Sequence, residues 1–318
     1  MVKVKRTPAW CPLLVLVLAL PLTTCVSVGP GSAGQRTPAS VIGDDAITIA
    51  SFDFPESVLL AQIYAQALEG KGFGIKRALD LGPRELVEPA LERGLVEFVP
   101  EYLGTVLEFV DPGSHRASAN LEATRQRLTE ALRGRRIDVL ASAEAEDANA
   151  LAVTAQTSAR YNLRTISDLV PLARRFVLGG PPECPSRPLC LPGLQSTYGL
   201  RFKRFTPLDA SGPLTAAELA SGQIDIAVLF TTDGDIAAGG FVLLEDDRSF
   251  QPAENVTPVI RDELVARYGK RLTDAVDAVS AKLTTEALRG MNRVMSLGSK
   301  TPRQVALEWL RARGLLQG

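Results

Sequence analysis

Short strand-like runs alternate with helix-like segments along most of this chain, and this alternation restricts the fold more than any other feature. From Ala46 the β run ITIASF precedes a helical pattern that starts near Pro55 and ends at Gly70. The strand-like run IKRALDL, a helix from Glu85 to Arg93 and the strand-like run VEFVP continue the series. The order β-α-β-α-β predicts a parallel or mixed sheet covered by helices, which is an α/β fold.

Two changes in the sequence predict a second, inserted domain. The small, acidic segment AEAEDAN at 143–149 is predicted to cross into it, and TTDGD at 231–235 is predicted to return. Lobe I would then contain 46–143 and 232–318, and lobe II would contain 144–231. A length of 318 residues suits two domains of about 100 to 200 residues each. Two crossovers form a hinge that lets the lobes close on a ligand.

The N-terminal residues 1–25 have the pattern of an export signal. Basic residues precede an apolar run at 11–22, which is shorter than the roughly 20 residues of a membrane-spanning helix. The run ends in LTTC, which resembles the lipobox of bacterial lipoproteins, so we expect a lipid anchor on Cys25. A conventional signal peptide, cleaved further on, is the alternative. Residues 26–45 are rich in Gly, Pro and Ser and are predicted to be a flexible tether.

The cysteines indicate a single disulfide in the mature domain. Cys11 lies in the leader and Cys25 would be lipidated, which leaves Cys184 and Cys190. Export places this pair in an oxidising compartment. The spacing suits a small disulfide loop better than a metal site, because a chain with 1 histidine offers few further ligands.

Charge and motifs argue against nucleic-acid binding and against an enzyme. The chain has 35 basic and 36 acidic residues without a single-sign tail, so it lacks the electrostatic footprint of a polyanion-binding protein. His115 lies in the loop DPGSHRAS without a nearby acid and nucleophile, and a solvated loop residue is the better interpretation. Phosphate-binding glycine motifs are missing, so no cofactor is expected.

Polar and aromatic residues follow the strands, which favours a binding cleft. GLVEFVPEYLGT at 94–105 and GQIDIAVLFTT at 222–232 both carry an aromatic residue at a strand end. In open α/β sheets, ligands bind beyond the carboxyl ends of the strands. The helix near Pro55 would direct backbone amides, with Asp53 as its cap, toward a ligand carboxylate. The residues expected at the cleft are Phe52, Asp53, Tyr102, Thr105 and Phe230.

Aromatic faces attract alkylated cations by about 0.5 to 2 kcal/mol per contact. On these residues alone, a zwitterion with a quaternary ammonium group is a reasonable ligand. Core packing of the rings is at least as good an interpretation of each aromatic residue.

Four motifs together resemble one known family: SFDFPES, PEYLGT, LPGLQSTYGL and LFTTDGDI. The chain is similar over 46–316 to the substrate-binding proteins of ABC importers for glycine betaine, choline, carnitine and related osmoprotectants. The resemblance implies a two-lobed type II periplasmic-binding-protein fold. It also implies a non-enzymatic role, with a permease and an ATPase subunit as partners.

For the cationic end of the ligand, the resemblance implies a cage of tyrosines. Tyr102 and Tyr198 keep the tyrosine, and Phe230 replaces one while keeping a ring. Asn149 stands where family members have a fourth aromatic residue, which opens one wall. Asp147 matches an acidic position that some members use near the cation.

For the anionic end, the resemblance implies that Thr105 and Arg187 bind a carboxylate. Phe52 stands where many members have lysine, and Ser57 where many have glutamine. The leading hypothesis is a membrane-anchored lipoprotein that captures a quaternary-ammonium osmoprotectant for a permease. The alternatives are another small organic solute, including an aromatic one, and a surface lipoprotein without a transport role.

Overall fold

The computed structural model describes residues 46–114 and 116–316, apart from the side chain of Ala237. The strands form two five-stranded sheets. The first sheet has the order β2-β1-β3-β10-β4 and contains β1 (Ile47–Ala50), β2 (Ile75–Ala78), β3 (Phe98–Tyr102), β4 (Ile137–Val139) and β10 (Val256–Arg261). The second has the order β7-β6-β8-β5-β9 and contains β5 (Asn149–Thr154), β6 (Val177–Gly180), β7 (Arg204–Pro207), β8 (Ile226–Phe230) and β9 (Phe241–Leu243).

Helices accompany both sheets, and we call each sheet with its helices a lobe. Lobe I adds α1 (Pro55–Gly70), α2 (Arg84–Glu92), α3 (Leu103–Val110), α4 (Leu121–Leu132), α9 (Asp262–Tyr268), α10 (Lys270–Ser280), α11 (Thr285–Ser296) and α12 (Pro302–Ala312). Lobe II adds α5 (Ala155–Tyr161), α6 (Leu191–Tyr198), α7 (Pro213–Ala220) and α8 (Asp235–Gly239). The expected lipidation site Cys25, the tether and His115 lie outside the described residues.

Both sheets are mixed, and in each the antiparallel strand follows a change of lobe. β1 pairs in parallel with β2 and β3, and β6 with β7 and β8. In contrast, β10 is antiparallel to β3 and β4, and β5 to β8 and β9. The chain thus passes between lobes at 140–148, the first crossover, and at 244–255, the second crossover. The predicted α/β fold with two lobes and two crossovers is confirmed.

The predicted position of the return crossover, 231–235, is wrong. β9 lies beyond that segment and still pairs with β5 of lobe II, with Ala152 opposite Leu243. Thr232 does contact lobe I, because Asn292 of α11 donates a hydrogen bond to its backbone oxygen at 3.0 Å. The chain then returns to lobe II. Lobe II therefore extends through β9, and apolar pattern alone does not tell which of two mixed sheets a short strand joins.

α1 lies at the centre of lobe I. It starts with a proline at its first position, which needs no amide donor, and its N-cap is Phe54 rather than the predicted Asp53. α10 and α12 pack against it. As a result even Gln62 and Gln66 are buried, and the Tyr64 and Ser280 hydroxyls are hydrogen-bonded at 3.0 Å.

Gly104 explains why the motif PEYLGT has a glycine. A Cβ at this position would lie 2.2 Å from Cγ of Pro252 in the second crossover. The backbone amide of Gly104 donates to the Ala253 oxygen at 3.0 Å. The glycine therefore lets the start of α3 contact the crossover directly. Among the described residues, no helix combines the length and apolar character needed to span a membrane.

Candidate functional site

A cavity lies between the two lobes, beside the carboxyl ends of β3 and β8. It offers about 90 Å³ of space for the centres of water-sized molecules. On this measure a single water needs about 10 to 15 Å³. The cavity therefore suits a small organic molecule. The residues that matter for its chemistry are Phe52, Phe54, Arg84, Tyr102 and Thr105 from lobe I, Asp147 from the first crossover, and Asn149, Arg187, Leu189 and Phe230 from lobe II.

Four aromatic rings form one cluster in the cavity wall, with Phe54 at its centre. The Phe54 ring centroid lies 6.0 Å from those of Phe52 and Tyr102 and 5.1 Å from that of Phe230. Phe52 and Phe54 flank the turn between β1 and α1, Tyr102 ends β3, and Phe230 ends β8. The cluster thus combines rings from both lobes. All four residues line the cavity, and aromatic rings beside a cavity can bind quaternary ammonium groups through their faces.

A buried pair of carboxyl groups, Glu56 and Asp147, lies next to this cluster. The Tyr102 hydroxyl donates to Oε1 of Glu56 at 2.7 Å. The Thr232 hydroxyl and the Asn292 amide both donate to Oε2 of Glu56. Oδ1 of Asp147 accepts from the Thr232 backbone amide at 2.9 Å. Asp147 lines the cavity, so it presents the pair to a ligand.

Burial shifts the pKa of both carboxyl groups in the same direction. Burial raises the pKa of Glu56, and its hydrogen bonds from Thr232, Tyr102 and Asn292 oppose that rise. Burial raises the pKa of Asp147 well above its ordinary value, and the charge of Glu56 raises it further. Of the two, Asp147 therefore favours the protonated form more strongly, and as the acid it would donate to Glu56.

Arg84 lines the cavity and packs against the aromatic cluster through the ring of Phe52. Its guanidinium binds both carboxylate oxygens of Glu101, at 2.9 and 2.7 Å, and both side chains are buried. The same guanidinium lies 4.8 Å from the centroid of the Phe52 ring. The arginine charge is therefore balanced within lobe I, and the pair fixes the position of Phe52.

The start of α3 does not offer free amides to a ligand. Glu254 of the second crossover accepts hydrogen bonds from the amides of Gly104 and Thr105, at 3.1 and 3.0 Å. It also accepts from the Thr105 hydroxyl at 2.5 Å. Burial raises the pKa of Glu254 to about 7, against the effect of its hydrogen bonds from Thr105. Thr105 lines the cavity, but its hydroxyl is already engaged, so its expected contact with a ligand carboxylate stays a prediction.

The predicted disulfide between Cys184 and Cys190 is present, with a Cα–Cα distance of 5.2 Å. The loop that it closes presents Arg187 to the cavity. The Arg187 guanidinium pairs with Glu85 of lobe I at 2.8 Å and with Glu183 at 3.1 Å. An ion pair thus joins the two lobes at the site. The expected role of Arg187 as a carboxylate-binding residue stays a prediction.

Two residues of the predicted site do not line this cavity. Tyr198 belongs to the core of lobe II, where its hydroxyl donates to Asp246 and accepts from the Arg248 amide at 2.9 Å. Ser57 is fully buried in α1 and accepts a hydrogen bond from the Phe52 amide at 2.9 Å. A motif predicts where a residue lies along the chain but not which way its side chain points. Both of these side chains are buried.

Asp53 and Asn149 line the cavity as expected. Asp53 is exposed and caps no helix. The Asn149 amide donates to the Leu189 backbone oxygen at 3.4 Å, so an amide, not a ring, borders this part of the cavity.

Phe54, Glu56 and Arg84 are the residues that sequence reasoning missed. The sequence does contain a signal for Phe54, because Phe52 and Phe54 are separated by one residue in the segment just before the proline that starts α1. Glu56 follows two residues later but reads as an ordinary first-turn acidic residue. Its partner Asn292 is 236 positions away, and nothing in the local sequence indicates that contact.

One family model matches almost all of the described chain. The family model described as the substrate-binding domain of an ABC-type glycine betaine transport system matches residues 45–312. The chain belongs to this family. Members of this family are solute-binding components of ABC transport and act outside the cytoplasm.

The curated relatives have low sequence identity to this chain but align with most of its length. The ergothioneine transport permease/ergothioneine binding protein EgtU of Helicobacter pylori is 25% identical over 285 residues, which is 89% of this chain and 50% of that protein. The chain therefore spans about half the length of that relative. The glycine-betaine-binding protein of Pseudomonas aeruginosa is 25% identical over 86% of this chain and 89% of its own length.

Solved structures share the fold. The crystal structure titled glycine betaine/carnitine/choline ABC transporter aligns with a TM-score of 0.67 at 22% identity, covering 85% of this chain and 100% of that one. An ABC-transporter choline binding protein in complex with choline aligns with a TM-score of 0.63 at 12% identity, covering 85% and 89%.

Proposed function

We propose that this protein binds a quaternary-ammonium compound in the cavity between its lobes and delivers it to an ABC permease. The observation that carries the proposal is the contact between the four-ring aromatic cluster and the buried carboxyl pair of Glu56 and Asp147. The rings would surround the methyl groups of the cation. The carboxyl pair would balance its charge.

The charges around the cavity support a cation as the main determinant. Both arginines of the lining are already paired, Arg84 with Glu101 and Arg187 with Glu85 and Glu183. In the described part of the chain, the hydrogen bonds to the Glu56–Asp147 pair come from Tyr102, Thr232 and Asn292 and include no basic side chain, so a charge on the pair would lack a basic partner. An uncompensated negative charge beside apolar rings favours an alkylated cation over an anion.

The relatives suggest which quaternary amines to test first. Glycine betaine, choline and carnitine appear in the names of relatives or of structures with this fold. Ergothioneine appears in the name of the Helicobacter pylori relative. This compound combines a trimethylammonium group with an aromatic ring. Phe52 and Phe230, in place of lysine and tyrosine, make the cavity more apolar and favour such a ligand as a second candidate.

Calorimetric titration of the purified protein with these four compounds tests the proposal. We expect at least one to bind in the micromolar range, and Phe54→Ala to weaken that binding about 30-fold, equivalent to about 2 kcal/mol, because Phe54 contacts the other three rings. Phe202→Ala is the matched control, since Phe202 packs on the core of lobe II outside the cavity lining. Binding of none of the four, by a folded protein, would refute the proposal.

Lipid anchoring through Cys25, and the permease and ATPase subunits as partners, stay predictions from the sequence and from family membership. They would place the cavity at the outer face of the membrane, where an importer collects its solute.

A further inference from the structure

A second, smaller cavity adjoins the first. It offers about 10 Å³ for the centres of water-sized molecules, about enough for one water or one group of that size. Asn149, Leu189 and Cys190 line both cavities, and Leu151, Val228 and Gln251 are among the residues that line only the smaller one. We call it the side cavity. Asn149 is part of the wall that both cavities share, which we call the junction, and a larger side chain there would take up space at this wall.

Gln251 supplies an unused hydrogen-bond acceptor in the wall of the side cavity. Its Nε2 donates to the Leu189 backbone oxygen at 3.2 Å. Its Oε1 is buried and has no hydrogen-bond donor among the residues that the structure describes. Because a backbone oxygen can only accept, the contact with Leu189 fixes which way the amide points. The Asn149 amide donates to the same oxygen, so both lone pairs of that oxygen are used.

Oε1 of Gln251 is therefore the acceptor left open beside Leu189, and a buried acceptor without a donor destabilises a protein unless something supplies one. A ligand that donates here removes that cost. A ligand without a donor keeps it. The side cavity has room for a single hydroxyl or N–H group, and its other walls, Leu151 and Val228, are apolar.

We propose that the side cavity is a subsite for a hydroxyl or N–H donor carried by the quaternary-ammonium ligand, with Gln251 Oε1 as its acceptor. The inference depends on the proposed function, because the cation must occupy the main cavity. It separates two classes of quaternary amine. Choline, carnitine and ergothioneine carry a donor, whereas glycine betaine carries none.

Choline and n-propyltrimethylammonium are a matched pair of probes, since they differ by a hydroxyl in place of a methyl group. We expect the wild-type protein to bind choline about tenfold more tightly than its analogue. In Gln251→Met, which keeps the length of the side chain and removes the acceptor, this ratio should fall to about one. Asn149→Leu, which closes the junction, should lower it in the same way.

Gln223→Met is the matched control, because Gln223 is exposed outside both cavities, and it should keep the wild-type ratio. Thermal melting of each ligand-free variant checks that it is folded. Equal ratios in the wild type and Gln251→Met would overturn the subsite while leaving cation binding intact. If neither probe nor the other quaternary amines bound the wild type, the proposed function itself would fail, and the subsite with it.

Discussion

The two lobes build their sides of the cavity in different ways. Lobe I contributes side chains that are locked in buried contacts, such as Arg84 and Glu101, which are 6% and 0% exposed. Lobe II contributes the disulfide loop, where Arg187 is 24% exposed and its partner Glu85 is 41% exposed. The cores differ in the same sense: one cluster of buried apolar residues in lobe I, against two separate clusters in the described part of lobe II.

This difference assigns different tasks to the lobes. The lobe I wall is held in place by buried contacts such as the Arg84–Glu101 pair, so it would be preorganised for the proposed cation before a ligand arrives. The lobe II wall meets lobe I through exposed charges that water can replace at small cost. If the cation binds as proposed, lobe I would provide the more buried part of its site and the disulfide loop of lobe II the more exposed part.

The largest expected effect is on the free energy of unfolding. It compares substitutions of Arg84 and Arg187, the two arginines that line the cavity. Arg84→Met leaves Glu101 charged and buried without its partner, and we expect a loss of about 3 to 5 kcal/mol in the free energy of unfolding. Arg187→Met removes an exposed ion pair and should cost less than about 1 kcal/mol. Denaturant unfolding of the ligand-free protein measures both.

Each variant carries the same chemical change, so each serves as the control for the other. Similar losses from both would show that the lobes do not differ in the way their contacts suggest. The double substitution Arg84→Met with Glu101→Leu should recover much of the loss, because it removes the buried charge as well.

Much of the fold could be predicted because it depends on local pattern. The β-α alternation and the strand ends at Tyr102 and Phe230 are visible in the order of apolar runs and glycines. The site could be predicted only where a side chain directly follows a strand. The motif predicts Tyr198 at the site, whereas in the structure α6 places it in the core of lobe II and outside the cavity lining, because sequence spacing does not reveal which way a helix face points.

The carboxyl pair could not be predicted, for a different reason. Glu56 and Asp147 come from α1 and the first crossover, and Asn292 of α11 completes their hydrogen bonds. These elements meet only because the chain crosses between the lobes twice. A contact of this kind depends on tertiary packing, which the local sequence pattern does not encode.

The next largest effect is expected on affinity, from Asp147→Asn. An amide at 147 can still accept from the Thr232 amide and donate to Glu56, so the hydrogen bonds of the protonated acid are kept. What is lost is the ability to ionise when a cation arrives. We expect cation binding to weaken about 100-fold, or about 3 kcal/mol, with little change in the melting of the ligand-free protein.

Asp274→Asn is the matched control for this variant, because Asp274 is 65% exposed on α10 in an ion pair with Lys270. It should leave the affinity unchanged. Wild-type affinity in Asp147→Asn would show that ionisation of Asp147 does not contribute to cation binding, and that the aromatic cluster and Glu56 account for the affinity.

The smallest expected effect is a dependence of affinity on pH, and its sign follows from the raised pKa of Asp147. The ligand-free protein holds a proton on this group, a bound cation favours its loss, and affinity should therefore rise with pH, by up to about tenfold per unit. Titrations from about pH 5.5 to about pH 8, in buffers with different heats of ionisation, would detect both the trend and the released proton.

The stability of the ligand-free protein should respond to pH in the opposite direction. An unfolded aspartate has the ordinary, lower pKa, so the folded state binds more protons and loses stability as pH rises toward the folded pKa. Both trends should weaken in Asp147→Asn, and a flat affinity in the wild type would mean that the proton stays on the pair when the cation binds.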